Sequence, residues 1–438
     1  MSNHRCGRPA ARTLAALGAA ALLSPSAPAT AYAEEGRFDQ ELVSGDLVGL
    51  TADETGLRVE ESRAQRGEGA SLSRRDTGLP YGIAVFAGRP LAEATDSLDV
   101  RPDTDGDTRD LRIEARGMRV DGMWTEWRTI PGRGGRVSLP RDVDEVQLRV
   151  EVEGTDSALT GLEVRPLPST GTGPGGDGEL GEPEGPSGPE PYSARLFATR
   201  IGLVGERTAN GHVVAPDDHF AALPSRRGLA ARGGGEYTVR VCTTGEFGPG
   251  AVGDPRTHDP RCAYVPVWDV GPWNITDDHW NEDRESWGDL DRGLPQAQAA
   301  YTAGHNGGLD GFGRRVANPA GIDLADGAFH GLQMPTNGWV EVDYLWTGDH
   351  GHRAEIATGT GREPVPVHEG PGAGYDTAGL AAAGAVVDVH CSVPGGQAYG
   401  PDGTARTWYR IGEDHYVPDA VANGAGDVPE CPDAQHRP

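Results

Sequence analysis

The stretch Val267-Trp268-Asp269-Val270-Gly271-Pro272-Trp273 decides how the chain is read. An apolar run ends on an aspartate, and a Gly-Pro break turns the chain at once. A strand that stops this way sets a carboxylate at the mouth of a sheet. Trp268 and Trp273 flank it with flat apolar faces, the usual way a protein grips a sugar ring. Four of the nine tryptophans fall between residues 268 and 287. The pattern predicts a polysaccharide groove, with Asp269 as candidate acid and Trp268, Trp273 and Trp280 as substrate-binding candidates.

Bulk composition narrows the partners. The formal charge is −27, and every basic residue among the 39 is arginine. Such acidity excludes a sequence-independent nucleic-acid binder, which needs a cationic face. It also excludes charge-driven adhesion to anionic membranes or wall polymers, so contact with a wall rests on stacking and hydrogen bonds. Residues 1–33 read as a signal peptide: Arg5, Arg8 and Arg12, an apolar run from Thr13 to Leu23, then Ala31-Tyr32-Ala33 before Glu34. That run is far shorter than the roughly 20 residues of a membrane span, and no later stretch is long enough. The expected product is secreted, extracellular or cell-wall associated. Cys242, Cys262, Cys391 and Cys431 then remain, an even number that favours disulfides. Of three pairings, Cys242–Cys262 and Cys391–Cys431 are favoured because each falls close to or inside one domain.

Glycine and proline are abundant and long helical periodicity is scarce, which predicts a mostly β, multidomain protein. Residues 34–78 are polar with little periodicity and are expected to be flexible. Short alternating runs over residues 79–167, including Gly82–Phe86, Asp110–Ala115, Trp124–Trp127 and Val146–Val152, predict an antiparallel β-sandwich. Within it, Asp103-Thr104-Asp105-Gly106-Asp107 has its glycine misplaced for a calcium loop and reads as a solvated acidic turn. Residues 168–192 are a Gly/Pro-rich linker. Residues 193–350 form a central domain carrying an insertion at 274–318. Residues 351–425 form a small barrel, and 426–438 a tail.

Five pieces of the central domain, in order, resemble the double-psi β-barrel of rare-lipoprotein-A-like proteins and the first domain of expansins. They are Thr208-Ala209-Asn210-Gly211, His219 to Pro224, Tyr237 to Val241, Asp269-x-Gly271-Pro272 and Ile322-Asp323-Leu324. The resemblance implies a polysaccharide-binding barrel. Where its lytic members carry a glutamate after the early glycine, this chain has His212. Val367-x-x-Gly370-Pro371-Gly372, Trp408-Tyr409-x-Ile411 and Tyr416-Val417 resemble a bacterial SH3-like domain, which implies attachment to peptidoglycan or a protein contact. Trp-x-Glu-Trp at 124–127 resembles a segment of modules that precede secreted wall enzymes.

A carboxylic acid protonates a glycosidic oxygen when a partly apolar site raises its pKa. Hydrolysis needs a second carboxylate. Asp323 is the weaker second catalytic candidate, beside Glu206, Asp277 and Asp278. A lytic transglycosylase needs one acid/base only. The plain alternative is that Asp269 bonds backbone amides and holds its turn. His219 is a substrate-binding candidate or a solvated loop histidine. Adjacent residues rarely converge on one ion, so Asp277, Asp278 and His279 are not read as a metal site. No Gly-x-Ser-x-Gly, HExxH or phosphate loop is present, and no cofactor is expected. The reading is a secreted wall protein that binds and cleaves peptidoglycan or a related polysaccharide, lytic transglycosylase-like or glycosidase-like. The alternative is an expansin-like or adhesive binding protein without turnover.

Overall fold

A computed structural model describes residues 36–64, 79–106, 111–119, 121–131, 134–169, 190–250, 258–349, 351–359, 361–401 and 403–432. The signal segment, Asp107 of the acidic turn and most of the linker lie outside the described residues. No helix among them is long and apolar enough to cross a membrane.

The N-terminal unit begins earlier than its sequence suggested. Strands β1 (Phe38–Asp39), β2 (Asp46–Val48), β3 (Leu50–Asp53) and β4 (Gly56–Val59) arise within the stretch expected to be flexible. Phe38, Leu50, Leu57 and Val59 bury their side chains there, an apolar set too sparse to stand out among polar neighbours. They join β5 (Tyr81–Val85), β6 (Arg89–Asp105), β7 (Leu111–Met118), β8 (Arg128–Thr129), β9 (Gly135–Glu153) and β10 (Ala158–Pro166). All ten belong to one sheet, whose main order is β2-β5-β9-β6-β10-β4-β3. Only Gly49, in the left-handed region at φ 70°, separates β2 from β3, so the two ends of this order meet and the sheet nearly closes. This corrects the two-sheet sandwich. The 17-residue β6 and 19-residue β9 cross both flanks of the unit and leave no break at which two sheets separate.

The central unit contains β11 (Tyr192–Arg200), β12 (Ala221–Leu223), β13 (Thr238–Phe247), β14 (Cys262–Val270), α1 (Gln296–Ala303), β15 (Ala320–Leu324), α2 (Asp326–Gly331) and β16 (Gly338–Tyr344). Six strands close a ring in the order β12-β15-β11-β16-β13-β14, and β14 returns to β12. The β11–β15 and β12–β14 pairs are parallel and the other four antiparallel. Alternate apolar residues fill the ring, among them Leu196, Leu223, Val239, Val265, Ile322 and Val340, all fully buried.

The C-terminal unit contains β17 (Arg353–Ile356), β18 (Val365–His368), β19 (Thr377–Ala381), β20 (Val386–Asp388), β21 (Cys391–Gly400), β22 (Gly403–Gly412), β23 (His415–Pro418) and β24 (Ala422–Asn423). It shares a sheet with the ring, because β19 lies parallel to the start of β14. Gly379 is required there: a Cβ would stand 1.8 Å from the Cys262 carbonyl oxygen. The disulfides are Cys242–Cys262, between directly opposed residues of β13 and β14, and Cys391–Cys431. The second ties the tail to β21 over a separation of 40 residues. Replacing both of its cysteines by serine is expected to destabilise the C-terminal unit by about 3–4 kcal/mol, from the loop entropy restored to the unfolded chain. Urea midpoints of the parent and the double variant check this, and equal midpoints would refute it. Paired cysteines are compatible with an extracellular protein.

The Trp-x-Glu-Trp segment makes no strand apart from one bridge at Trp124. Glu126 instead enters the central unit and accepts the indole N–H groups of Trp280 (2.6 Å) and Trp346 (2.8 Å) and the Asn281 amide (2.7 Å). Trp127 donates to the Leu229 carbonyl, and the Tyr237 hydroxyl donates to the Thr125 carbonyl. A carboxylate satisfied by three donors makes this segment a clasp between two units.

Candidate functional site

Asp269 and Asp323 are the penultimate residues of β14 and β15, with β12 between them. Ala222 of β12 lies opposite both: it pairs with Asp269 on one side and Asp323 on the other. Two strand spacings put the two Cα atoms about 9–10 Å apart, less whatever the ring's curvature removes. A register shift between Ala221 and Ala222 explains the shared face. The chain takes two steps on β14, from Val267 to Asp269, for one step on β12. That bulge reverses the alternation, so Asp269 leaves the inward row of Val265 and Val267 and joins Ala222 and Asp323 on the other face.

Both carboxylates line a cleft of about 420 Å³, together with Thr199, Arg200, Trp273, Asn318 and Asn337. Asp269 is fully buried at its inner end, and its Oδ1 accepts the Ala209 N–H at 2.8 Å. This departs from the expectation of a carboxylate looking out of the cleft. Asp323 is partly open. Its Oδ1 accepts the Thr199 hydroxyl, and it does not cap α2, whose first turn has no side-chain cap. Burial pushes the Asp323 carboxyl up to about 6, against the smaller opposing effect of the Thr199 bond. Trp273 follows the Gly271–Pro272 turn with φ 63°, a rare backbone state for an aromatic residue. Its indole donates to Asn318 at the cleft wall. Arg200, half-exposed, reaches Asp326 only at 3.4 Å.

The remaining expected residues are elsewhere. Trp268 is the residue inside the bulge and turns into a second cleft, of about 440 Å³, which also holds His219. Burial lowers the His219 pKa there. Trp280 is fully buried, stacked on Tyr344 and edge-on to Trp346, with its N–H on Glu126. This corrects its assignment as a sugar platform: it holds units together. Asp277 bonds Arg284 and the Gln296 N–H, Asp278 pairs with Arg227, and His279 meets the Tyr344 hydroxyl. The three diverge: Asp277 braces the insertion from within, while Asp278 and His279 tie it to the ring. Glu206 lies in the 205–214 hairpin and is absent from the cleft wall.

Thr199, Asn318 and Asn337 were missed. Thr199 was findable as a polar residue in the apolar Leu196–Ile201 run, but the asparagines reach the cleft from loops with no local signal. Residues 192–343, which contain both aspartates, match a family model described as a domain of unknown function, DUF8814. No curated protein and no solved structure matches the chain.

Proposed function

We propose that the central ring binds peptidoglycan or a related polysaccharide in the Asp269–Asp323 cleft and cleaves it by hydrolysis. The observation that carries this reading is the pair of carboxylates flanking Ala222 in one cleft, with an indole at its wall. Asp323, which burial lets hold its proton up to about pH 6, gives that proton to the glycosidic oxygen as the bond to the anomeric carbon breaks. The Asp269 carboxylate takes a proton from the water that attacks that carbon from the other side. Carboxyl groups of inverting glycosidases stand roughly 6.5–9.5 Å apart to admit such a water, and a one-strand spacer is in keeping with that class. The roles assigned by sequence are thereby exchanged, since Asp323 has the raised pKa and the open position.

The closed six-strand ring with two parallel pairs supports the double-psi resemblance, and the short strands of the C-terminal unit support an SH3-like, wall-binding role. The paired cysteines and the signal-like leader support secretion. A second reading, an expansin-like binder without turnover, is favoured by one fact: Asp269 is fully buried with a backbone donor on Oδ1.

Purified protein and its Asp269→Asn variant incubated with peptidoglycan separate these readings. Hydrolysis releases fragments with free reducing ends, detected by mass spectrometry, and the variant is expected to release at least about 100-fold less, the usual worth of a positioned acid or base. Anhydro-sugar ends would indicate transglycosylation. Identical profiles from both proteins would remove Asp269 from catalysis, and binding with no fragments would leave the second reading.

A further inference from the structure

The bulge that turns Asp269 into one cleft turns its neighbour Trp268 into another, so a single strand end feeds two clefts. The second lies between the central ring and the C-terminal unit. Its ring-side wall carries Trp268, His212 and Asp218, and its far wall carries Glu355, Thr358 and Arg362. Asp218 is fixed: it accepts the Ala215 N–H and meets His212 Nε2, both at 2.6 Å. Burial alone would raise its pKa, but the His212 and Ala215 bonds hold it below the usual carboxylate range, so it stays an acceptor. His212 in turn leans on the Trp268 ring, with centroids 4.7 Å apart. The indole N–H is occupied by the Gly234 carbonyl. What the cleft offers is therefore an aromatic and imidazole surface, two carboxylate acceptors and two donors, with charges of both signs.

That combination suits a ligand with an apolar face and a rim of hydroxyls, each both donor and acceptor, and it suits an anion or a cation poorly. We propose that this cleft is a second saccharide site, holding a stretch of the same polysaccharide away from the aspartate pair. The assignment rests on the polysaccharide reading of the first cleft. Two linked sites on one polymer raise apparent affinity without new chemistry, because the second contact becomes intramolecular. Glu355 and Arg362 belong to the C-terminal unit, so that unit would contribute to glycan capture at the joint with the ring.

The probe is peptidoglycan glycan strands freed of their peptides, titrated into the full chain carrying Asp269→Asn to prevent turnover. Glu355→Ala with Arg362→Ala changes two exposed side chains, and an unaltered circular-dichroism spectrum checks the fold. Thr358→Val is the second, near-isosteric variant. The double variant is expected to bind the strands at least about tenfold more weakly, since it forfeits part of a linked-site gain that is on the order of 10²–10⁴. Affinity within twofold of the parent in both variants would overturn the second site and leave the first-cleft reading intact. Binding that requires peptide-bearing wall material would overturn the saccharide assignment. Failure of the parent to bind either material would overturn both readings together.

Discussion

Asp323→Asn is expected to abolish glycan cleavage and, at neutral pH, to make the protein more stable. The two effects share one cause. Burial raises the folded-state pKa of Asp323 to about 6, whereas an unfolded aspartate titrates near 3.9. Between those values the folded chain holds a proton that the unfolded chain has released. Stability therefore falls as pH rises from about 4 to 6 and stays reduced above. An asparagine accepts the Thr199 hydroxyl equally well and never ionises, so it removes that penalty while removing the acid. Turnover should drop about 10²–10⁴-fold, the range for a general acid. The parent's turnover should itself decline above pH 6, as the acid loses its proton. The variant's melting temperature should match the parent's near pH 4 and exceed it near pH 7.5. Asp277, also pushed up to about 6 by burial against the opposing Arg284, adds a fall of the same sign that the variant retains. Undiminished cleavage, or a lower melting temperature at pH 7.5, would refute the assignment.

The carboxylate pair shows how far sequence alone reaches into this molecule. Asp269 stood out because it closes an apolar run, which became β14, whereas Asp323 stood out only through the Ile322-Asp323-Leu324 resemblance, and its stretch became the strand β15. Their meeting across Ala222 was not legible, since it depends on a parallel pairing of β12 with β14 that closes the ring. Nor was the fate of Trp268. Strict alternation sends neighbouring residues to opposite faces, but a one-residue bulge resets the count, and bulges leave no mark in a run such as Val265-Pro266-Val267-Trp268. Trp280 failed for another reason. An indole is equally at home on a sugar and in a core, and only the Glu126 carboxylate, 154 residues away, decides between them. The N-terminal strands were obscured because each is four residues or fewer, too short for a period to repeat.

Glu114→Ala is expected to be the most destabilising single change, at about 3–5 kcal/mol, because it strands buried guanidinium charge. Glu114 is 2% exposed and lies between Arg149 at 2.7 Å and Arg226 at 3.2 Å, themselves nearly as buried. Burial alone would raise its pKa, but the two arginines hold it far below the carboxylate range. Arg226 keeps a second partner in Glu151, whereas Arg149 is left with the carbonyls of Arg226 and Leu229 and the face of Trp127. Removing Arg149 as well, as Glu114→Ala/Arg149→Met, should recover part of the loss, so the two changes will not add. The consequence extends to the cleft. Arg149 donates to the carbonyls of Arg226 and Leu229, the next carbonyls at Ala230 and Ala231 accept the Asn210 amide, and Asn210 follows Ala209, whose N–H holds Asp269. Gly211 closes the same turn against Val48 of the N-terminal unit, where a Cβ would stand 2.6 Å from Val48 Cγ2. Loosening this joint should thus lower turnover more than glycan affinity, a split that a purely remote stability defect would not produce. Urea midpoints measure the first effect, and kcat against KM on peptidoglycan fragments measures the second. A stability loss below about 1 kcal/mol, the level of an exposed ion pair, would mean that the joint is wet and that the N-terminal unit does not hold the acid pair in place.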